Sequence, residues 1–323
     1  VWRTHSLGRI DLVTIGMSDT LVKPSYRNPR VRRWASHLWR EAIVKSWHPI
    51  APAFAKPNPS QWSDQRVTAA WLGHATVLIN FFGINVLTDP VLFPRVGIRI
   101  PFLFTIGPKR LTAPALTVHE LPRIDIVLLS HAHFDHFDWR TLSHLDRAAK
   151  VITAPRTRDL LNWTRLRDIT ELSWNESESI HTSAGTIKIT AVPVKHWGAR
   201  MQHDDHRGYN AYLIERNNCR ILFGGDTAFT ETFTELRAHG PIDLAIVSIA
   251  AYDPWIRSHA NPEQAVQMAN DAGARFIMPI HHQTFRLSFE PYREPIERFE
   301  AALPGQSERI ALREIGETFV LPA

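Results

Sequence analysis

The largely apolar run Ile124 to Leu129 passes directly into Ser130-His-Ala-His-Phe-Asp-His-Phe-Asp138. A short apolar run of this kind reads as a buried strand. His131, His133, Asp135 and His136 then put four metal-ligand side chains into six positions. A strand that ends in a ligand-dense loop is how an open α/β sheet presents a site. His131 and His133 are two apart, so in extended backbone they point to the same side. Asp135 and His136 follow as the chain turns and can face a second ion. Imidazole with carboxylate suits a borderline divalent ion such as zinc. The competing reading is a polar loop that is rich in histidine by chance, and four ligands at alternating spacing just after a strand weigh against it.

Three further apolar runs end in the same kinds of residue. Val192-Pro-Val-Lys-His196 ends in an imidazole, Ile221-Leu-Phe-Gly-Gly-Asp226 in a carboxylate, and Ile277-Met-Pro-Ile-His281-His282 in two imidazoles. Glycine before Asp226 is expected to let the backbone come close to an ion, and a carboxylate there can bridge two cations. Singly each is weak, since a histidine at a strand end is more often structural. Together they put His or Asp at the ends of four strands, which converge on one edge in an α/β sheet.

The rest of the chain sets limits. With 323 residues, 44% of them hydrophobic, it is long enough for a substantial core. The single Cys219 excludes an internal disulfide framework and a cysteine-rich zinc module. No apolar run approaches the roughly 18–20 residues that span a bilayer. The expected location is therefore cytoplasmic or peripheral to a membrane. Residue 1 is Val, so a trimmed signal or anchor remains compatible with the chain. The net charge of +5 fits a solvated surface better than it argues for an anionic partner.

Residues 1–66 form a Trp-, Arg- and Pro-rich extension. Within it Val31, Trp34, Ala35, Leu38, Trp39, Ala42, Ile43 and Trp47 recur at helical spacing between Pro29 and Trp47, with Arg32, Arg33, Arg40 and Lys45 largely off the stripe. Such a helix either packs on the main domain, the reading favoured by most apolar stripes, or lies in a membrane interface. From residue 67 strands and helices alternate. Strands are predicted at 67–72, 76–81, 84–87, 124–129, 151–154, 186–192, 209–215, 220–223, 244–249 and 276–280. Helices are predicted after Asp138 and Pro155, over 230–239, and over 262–272 after Asn261. Asn217-Asn218 predicts a hairpin turn. Residues 91–106 are unusually apolar for a loop, with Arg95 and Arg99 interspersed and Lys109 and Arg110 following. They read equally as a rim to an acyl-chain pocket and as an extension of the core.

His131-Ala-His133-Phe-Asp135-His136, followed in order by His196, Asp226 and His281, resembles the metallo-β-lactamase superfamily. The flanking segments Trp71-Leu-Gly-His-Ala-Thr-Val, Leu87-Thr-Asp-Pro, Gly107-Pro-Lys-Arg, Glu120-Leu-Pro, Lys195-His-Trp, Gly224-Gly-Asp-Thr, Ala251-Tyr-Asp-Pro and Ile280-His-His-Gln-Thr-Phe resemble its branch of N-acylphosphatidylethanolamine-hydrolysing phospholipases D. The resemblance runs from about residue 67 to 300. It implies an α/β fold, a four-layer αββα sandwich, over a catalytic domain at 67–323. It also implies two divalent ions, with zinc expected and manganese or iron not separated from it by ligand type. His131, His133 and His196 would hold one ion, and Asp135, His136 and His281 the other, with Asp226 bridging. His282 stands where the branch has Trp, which makes it the alternative to His281, and position favours His281. His74 and Asp89 would orient the ligands or line the pocket, turn chemistry being the other reading of both. His259 matches a histidine near the substrate phosphate. His203 and His206 read as solvated.

Asp135, Asp226 and His259 are thus the expected participants in catalysis. The implied reaction is phosphodiester hydrolysis of phospholipase D type on an N-acylphosphatidylethanolamine-like lipid or another small anionic ester, by a hydroxide held between the ions. Alternatives are a lactonase or carboxyl-ester hydrolase, a nuclease, and a peripheral membrane binding protein with a vestigial site. No Lys/Arg-rich arm with interleaved aromatics accompanies the motifs, so no nucleic-acid partner is expected. Peripheral membrane contact and a dimer are both compatible with the chain.

Overall fold

The computed structural model describes residue 36 and residues 47–100, 105–201 and 204–322. Apart from Ser36 and Trp47, the helix expected over Pro29–Trp47 lies outside these residues, as does His203.

The strands, in chain order, are β1 Val67–Gly73, β2 Thr76–Phe81, β3 Ile84–Thr88, β4 Ile98–Arg99, β5 Thr105–Ile106, β6 Ile126–Leu129, β7 Lys150–Thr153, β8 Ile169–Glu171, β9 Ser177–Thr182, β10 Gly185–Val192, β11 Ala211–Arg216, β12 Cys219–Phe223, β13 Ile242–Ser248, β14 Ala274–Ile280 and β15 Thr318–Val320. One sheet has the order β15-β1-β2-β3-β6-β7-β8, and the other β14-β13-β12-β11-β10-β9. In each, hairpin-connected antiparallel strands give way to parallel ones: β3, β6, β7 and β8 in the first, β12, β13 and β14 in the second.

The sheets face each other, and period-2 alternation explains how. In β13, Leu244 and Ile246 join the core between the sheets, whereas Ala245 and Val247 join a second core on the outer face. In β11, Tyr212 and Ile214 face inward and Ala211 and Leu213 outward. Strands apolar on both faces must be covered on both. Helices α2 Pro262–Asp271 and α3 Glu294–Ala301 cover the second sheet through Val266, Ala269, Ile296 and Phe299. Helix α1 Trp139–His144 and a 3-10 helix at Arg158–Trp163 cover the first through Leu142, Leu160 and Leu161. The result is the four-layer αββα sandwich.

Local signals act where the sequence places them. Asp138 caps α1, accepting from the Arg140 and Thr141 amides. Asn261 and Gln264 form a capping box on α2, with Pro262 in its first turn. Asn217 and Asn218, with φ of 50° and 59°, turn β11 into β12. The helices expected after Pro155 and over 230–239 are tighter, being 3-10 at Arg158–Trp163 and Thr232–His239.

Residues 91–106 divide between their two expected roles. Val91, Leu92 and Val96 are buried at the base, and Ile98 and Ile106 are exposed on the β4–β5 hairpin. Residues 101–104 are outside the described set. Phe134 of the histidine loop packs on Val91, Val96 and Phe285.

Candidate metal centre

The carboxyl ends of β3, β6, β12 and β14 lead to Asp89, His131, Asp226 and His281, and the segment after β10 brings His196. Here the two sheets are stitched together. The Asn210 amide donates to the Ser130 carbonyl at 2.9 Å, and the Tyr212 hydroxyl to the Leu129 carbonyl at 2.8 Å. A Cβ on Gly225 would lie 2.8 Å from Ser130 Cβ. This glycine therefore permits close contact between the sheets.

Three imidazoles form one donor set. His131 Nε2 lies 2.8 Å from His133 Nδ1, and His196 Nε2 lies 3.3 Å from the same atom. Asp135, His136, His281 and His74 form a second. His136 Nε2 and His281 Nε2 are 3.2 Å apart, and Asp135 Oδ2 is 3.7 Å from each. Asp226 Oδ2 stands between the sets, 3.0 Å from His136 Nε2, 3.2 Å from His281 Nε2 and 4.0 Å from His196 Nε2.

The outward nitrogens of three rings are held from behind. His136 Nδ1 is 2.7 Å from buried Asp89 Oδ2, and His131 Nδ1 is 2.8 Å from Ser130 Oγ, which donates to Asp89. His196 Nδ1 donates to the Ser258 carbonyl at 2.9 Å. Protons fixed on the outer nitrogens leave lone pairs on the inner ones. His74 Nε2 is 2.9 Å from Asp135 Oδ2, and its carbonyl accepts the His281 amide. His74, Asp89 and His281 all have positive φ, at 55°, 31° and 69°. Such backbone costs about 1–3 kcal/mol per residue and persists where its surroundings hold it.

Electrostatics separate the two sets. Burial holds His133 at about 3 and His196 at about 4, and drives His131 well below the usual histidine range, so all three are neutral. Burial also opposes charge on His281, but Asp226 and Asp135 outweigh it and raise that ring to about 9; they raise His136 as well. Burial would raise Asp226, yet His136 and His281 bring it well below the carboxylate range.

Inner nitrogens facing one another at 2.8–3.3 Å, with other ring nitrogens already bonded outward, cannot all be satisfied by ring protons. Cations meet the need: neutral imidazoles beside one carboxylate set and the intervening Asp226 match the donor chemistry of a pair of divalent ions. The residues present fit two such ions.

The remaining expected residues fall nearby or elsewhere. His259 is buried, with Nδ1 3.7 Å from Asp226 Oδ2 and its ring 5.0 Å from that of His196. His282 is outside both donor sets and packs on Trp71 at 4.5 Å between centroids. His206 is exposed. Sequence reasoning passed over Ser130, although it heads the motif. It also missed Ser248, whose hydroxyl is 2.9 Å from Asp226 Oδ1, and the Ser258 carbonyl. Neither of those two carries a local signal, because each meets its partner only in the folded sheet.

The family model described as the beta-lactamase superfamily domain matches residues 84–282. The chain belongs to that superfamily. It is 32% identical over 261 residues to N-acyl-phosphatidylethanolamine-hydrolyzing phospholipase D 1 of Caenorhabditis elegans, covering 76% of this chain and 72% of the relative. It is 34% identical over 274 residues to an uncharacterised protein of Mycobacterium tuberculosis, covering 82% of this chain and 72% of the other. Among solved structures, Igni18, a metallo hydrolase from the archaeon Ignicoccus hospitalis, superposes with a TM-score of 0.60 at 17% identity over 80% of this chain and 99% of that one. Superfamily membership with this donor set implies divalent metal ions and a metal-dependent hydrolase. Among the described residues no helix is long and apolar enough to cross a membrane.

Proposed function

We propose that the protein is a zinc-dependent phosphodiesterase of phospholipase D type, acting on N-acylphosphatidylethanolamine-like lipids. The observation that carries this reading is Asp226 Oδ2 standing between two donor sets, since paired divalent sites clamp both the attacking and leaving oxygens of a phosphoryl displacement. The relative from C. elegans, named for this activity, supports the lipid class. Exposed apolar residues support it further. Met201 follows Arg200, which stacks on Phe134 of the histidine loop. Ile256 follows Trp255, whose ring is 6.0 Å from Trp197, itself 4.6 Å from His133. Ile98 rises from the segment whose Val96 packs on Phe134. Basic Arg99 and Arg257 are exposed beside them, as suits an amphipathic anion.

When bound, two divalent ions supply a hydroxide nucleophile at neutral pH and neutralise charge on the phosphoryl oxygens. The protein's own contribution is positional. His131, His133 and His196 would hold one ion and Asp135, His136 and His281 the other, with Asp226 between the two sets. His259, kept neutral by burial and 3.7 Å from Asp226, donates a hydrogen bond to the leaving oxygen. His74 fixes the rotamer of Asp135.

A paired assay tests this. Purified protein and Asp226→Asn are given an N-acylated phosphatidylethanolamine, a generic phosphodiester and a lactone. Turnover of the lipid by wild type, lost in the variant, is expected. Turnover of the lactone alone would overturn the substrate class, and full activity in the variant would overturn the bridged pair.

A further inference from the structure

The ligand loop interleaves aromatics with its donors: Phe134 lies between His133 and Asp135, Phe137 follows His136, and Trp139 opens α1. Their common neighbour is Arg200, four residues beyond His196. Its guanidinium carbon is 4.0 Å from the Phe134 ring centroid, 4.5 Å from Trp139 and 5.6 Å from Phe137. Its Nη1 donates to the Ala132 and Phe137 carbonyls, both at 2.9 Å. These two carbonyls bracket His133, Asp135 and His136. Arg200 is 9% exposed, its Nε is buried without a hydrogen-bond partner, and among the described residues no carboxylate forms an ion pair with it.

A buried arginine without an ion-pair partner is costly, and it persists where its planar fork meets groups that a carboxylate could not replace. Here those groups are two loop carbonyls and the faces of two rings. The side chain also ties the backbone of the ligand loop to the stretch that carries His196, which meets that loop through His133.

We propose that Arg200 is a positioning residue for the metal centre: it clamps the ligand loop at both ends and ties its geometry to the His196 segment. It belongs to none of the donor sets. Metal affinity is therefore set partly by a residue outside the donor sets. The proposal rests on residues 131–136 holding metal, which the metal content of wild type checks separately.

The test compares wild type with Arg200→Ala, Arg200→Lys and Phe134→Leu. Zinc affinity is measured by competition with a chromophoric chelator, and geometry by the visible spectrum of the cobalt-substituted protein. Lysine keeps the charge and can donate to the carbonyls but lacks the flat guanidinium that stacks on Phe134 and Trp139, so it is expected to recover only part of the alanine loss. Loss of an orienting partner lowers metal affinity by roughly 10–100-fold, and a loss in that range is expected, with an altered cobalt spectrum. Ile296→Val, in the helix layer beyond the second sheet, controls for general destabilisation: it is expected to lower the unfolding midpoint of the metal-free protein and leave zinc affinity unchanged. Should the alanine variant fail to fold, Lys and Leu carry the comparison. Wild-type affinity and spectrum in both would overturn the proposal, as would an equal affinity loss in Ile296→Val. Wild type that binds no metal would overturn the proposal together with the metal centre.

Discussion

Asp89 Oδ2 sits 2.7 Å from His136 Nδ1, and the same oxygen accepts the Ser130 hydroxyl that backs His131. One fully buried carboxylate thus orients a ring in each donor set. Substituting Asp89→Ala leaves His136 and the Ser130 hydroxyl without their acceptor, and frees the hydroxyl that backs His131 to rotate. Metal affinity is expected to fall by roughly 10–100-fold for both ions together, because outer hydrogen-bond partners fix ligand tautomer and orientation. Stoichiometry after dialysis against graded chelator measures this. Loss of one ion with the other fully retained would show that Asp89 does not serve both sets.

Gly225 and Gly305 make a contrast for backbone substitution. Both have positive φ, at 55° and 69°. At Gly225 an added Cβ meets Ser130 Cβ at 2.8 Å and the Asn210 carbonyl at 3.0 Å, whereas at Gly305 nothing lies within 4 Å. Gly305→Ala is expected to cost about 1–2 kcal/mol, the left-handed penalty alone. Gly225→Ala adds overpacking of a further ~1–3 kcal/mol and pushes Asp226 away from the donor sets. Urea midpoints with metal content read both effects. Equal destabilisation of the two variants would refute the contact between sheets as the reason for glycine at 225.

Acid sensitivity follows from His282. Burial holds its ring at about 3, against an ordinary value of 6.5. Below pH 6.5 the unfolded chain takes up a proton that the folded chain refuses until about 3. The unfolded state then binds more protons, so stability falls as pH falls. From pH 7 to 5 this one site contributes a loss of about 2 kcal/mol. His282→Phe keeps an aromatic ring against Trp71 and removes the titration. Denaturant unfolding of the metal-free proteins at pH 7 and 5 is expected to show a smaller acid loss in the variant. The same loss in both would mean that His282 takes no part.

What was readable beforehand depends on where the information lies. Strands such as β13 were legible because a run apolar on both faces has little alternative. Strand β9, Ser177–Thr182, was not: it is an edge strand with one buried residue, and its sequence carries no apolar pattern. Strand β15 and helix α3 escaped for a related reason, since β15 is short and largely exposed and α3 follows a loop without a cap signal. The convergence of His131, His133, Asp135, His136, His196, Asp226 and His281 could be anticipated because each donor ends an apolar run or sits in one dense loop. Their supports could not. Asp89 reaches His136 across 47 residues, and Arg200 reaches Ala132 across 68. Such pairings are properties of the packed sheets.

The exposed hairpin makes the last prediction. Ile98 and Ile106 pair across β4–β5 at 49% and 36% exposure, raised from a base buried through Val96. Exposed apolar residues flanked by Arg99 are the composition of a contact with lipid. Replacing both with serine removes apolar contact while leaving the donor sets untouched, since neither residue belongs to them. Turnover of an N-acylated phosphatidylethanolamine presented in vesicles is expected to fall several-fold, through the dependence on lipid concentration rather than the limiting rate. Turnover of a short-chain, water-soluble phosphodiester is expected to stay within twofold of wild type. Hydrophobic transfer of two such side chains amounts to roughly 3–6 kcal/mol when burial is complete, so even partial insertion gives a measurable shift. Equal loss on both substrates would assign the hairpin a structural role, and no loss on vesicles would remove it from the lipid contact.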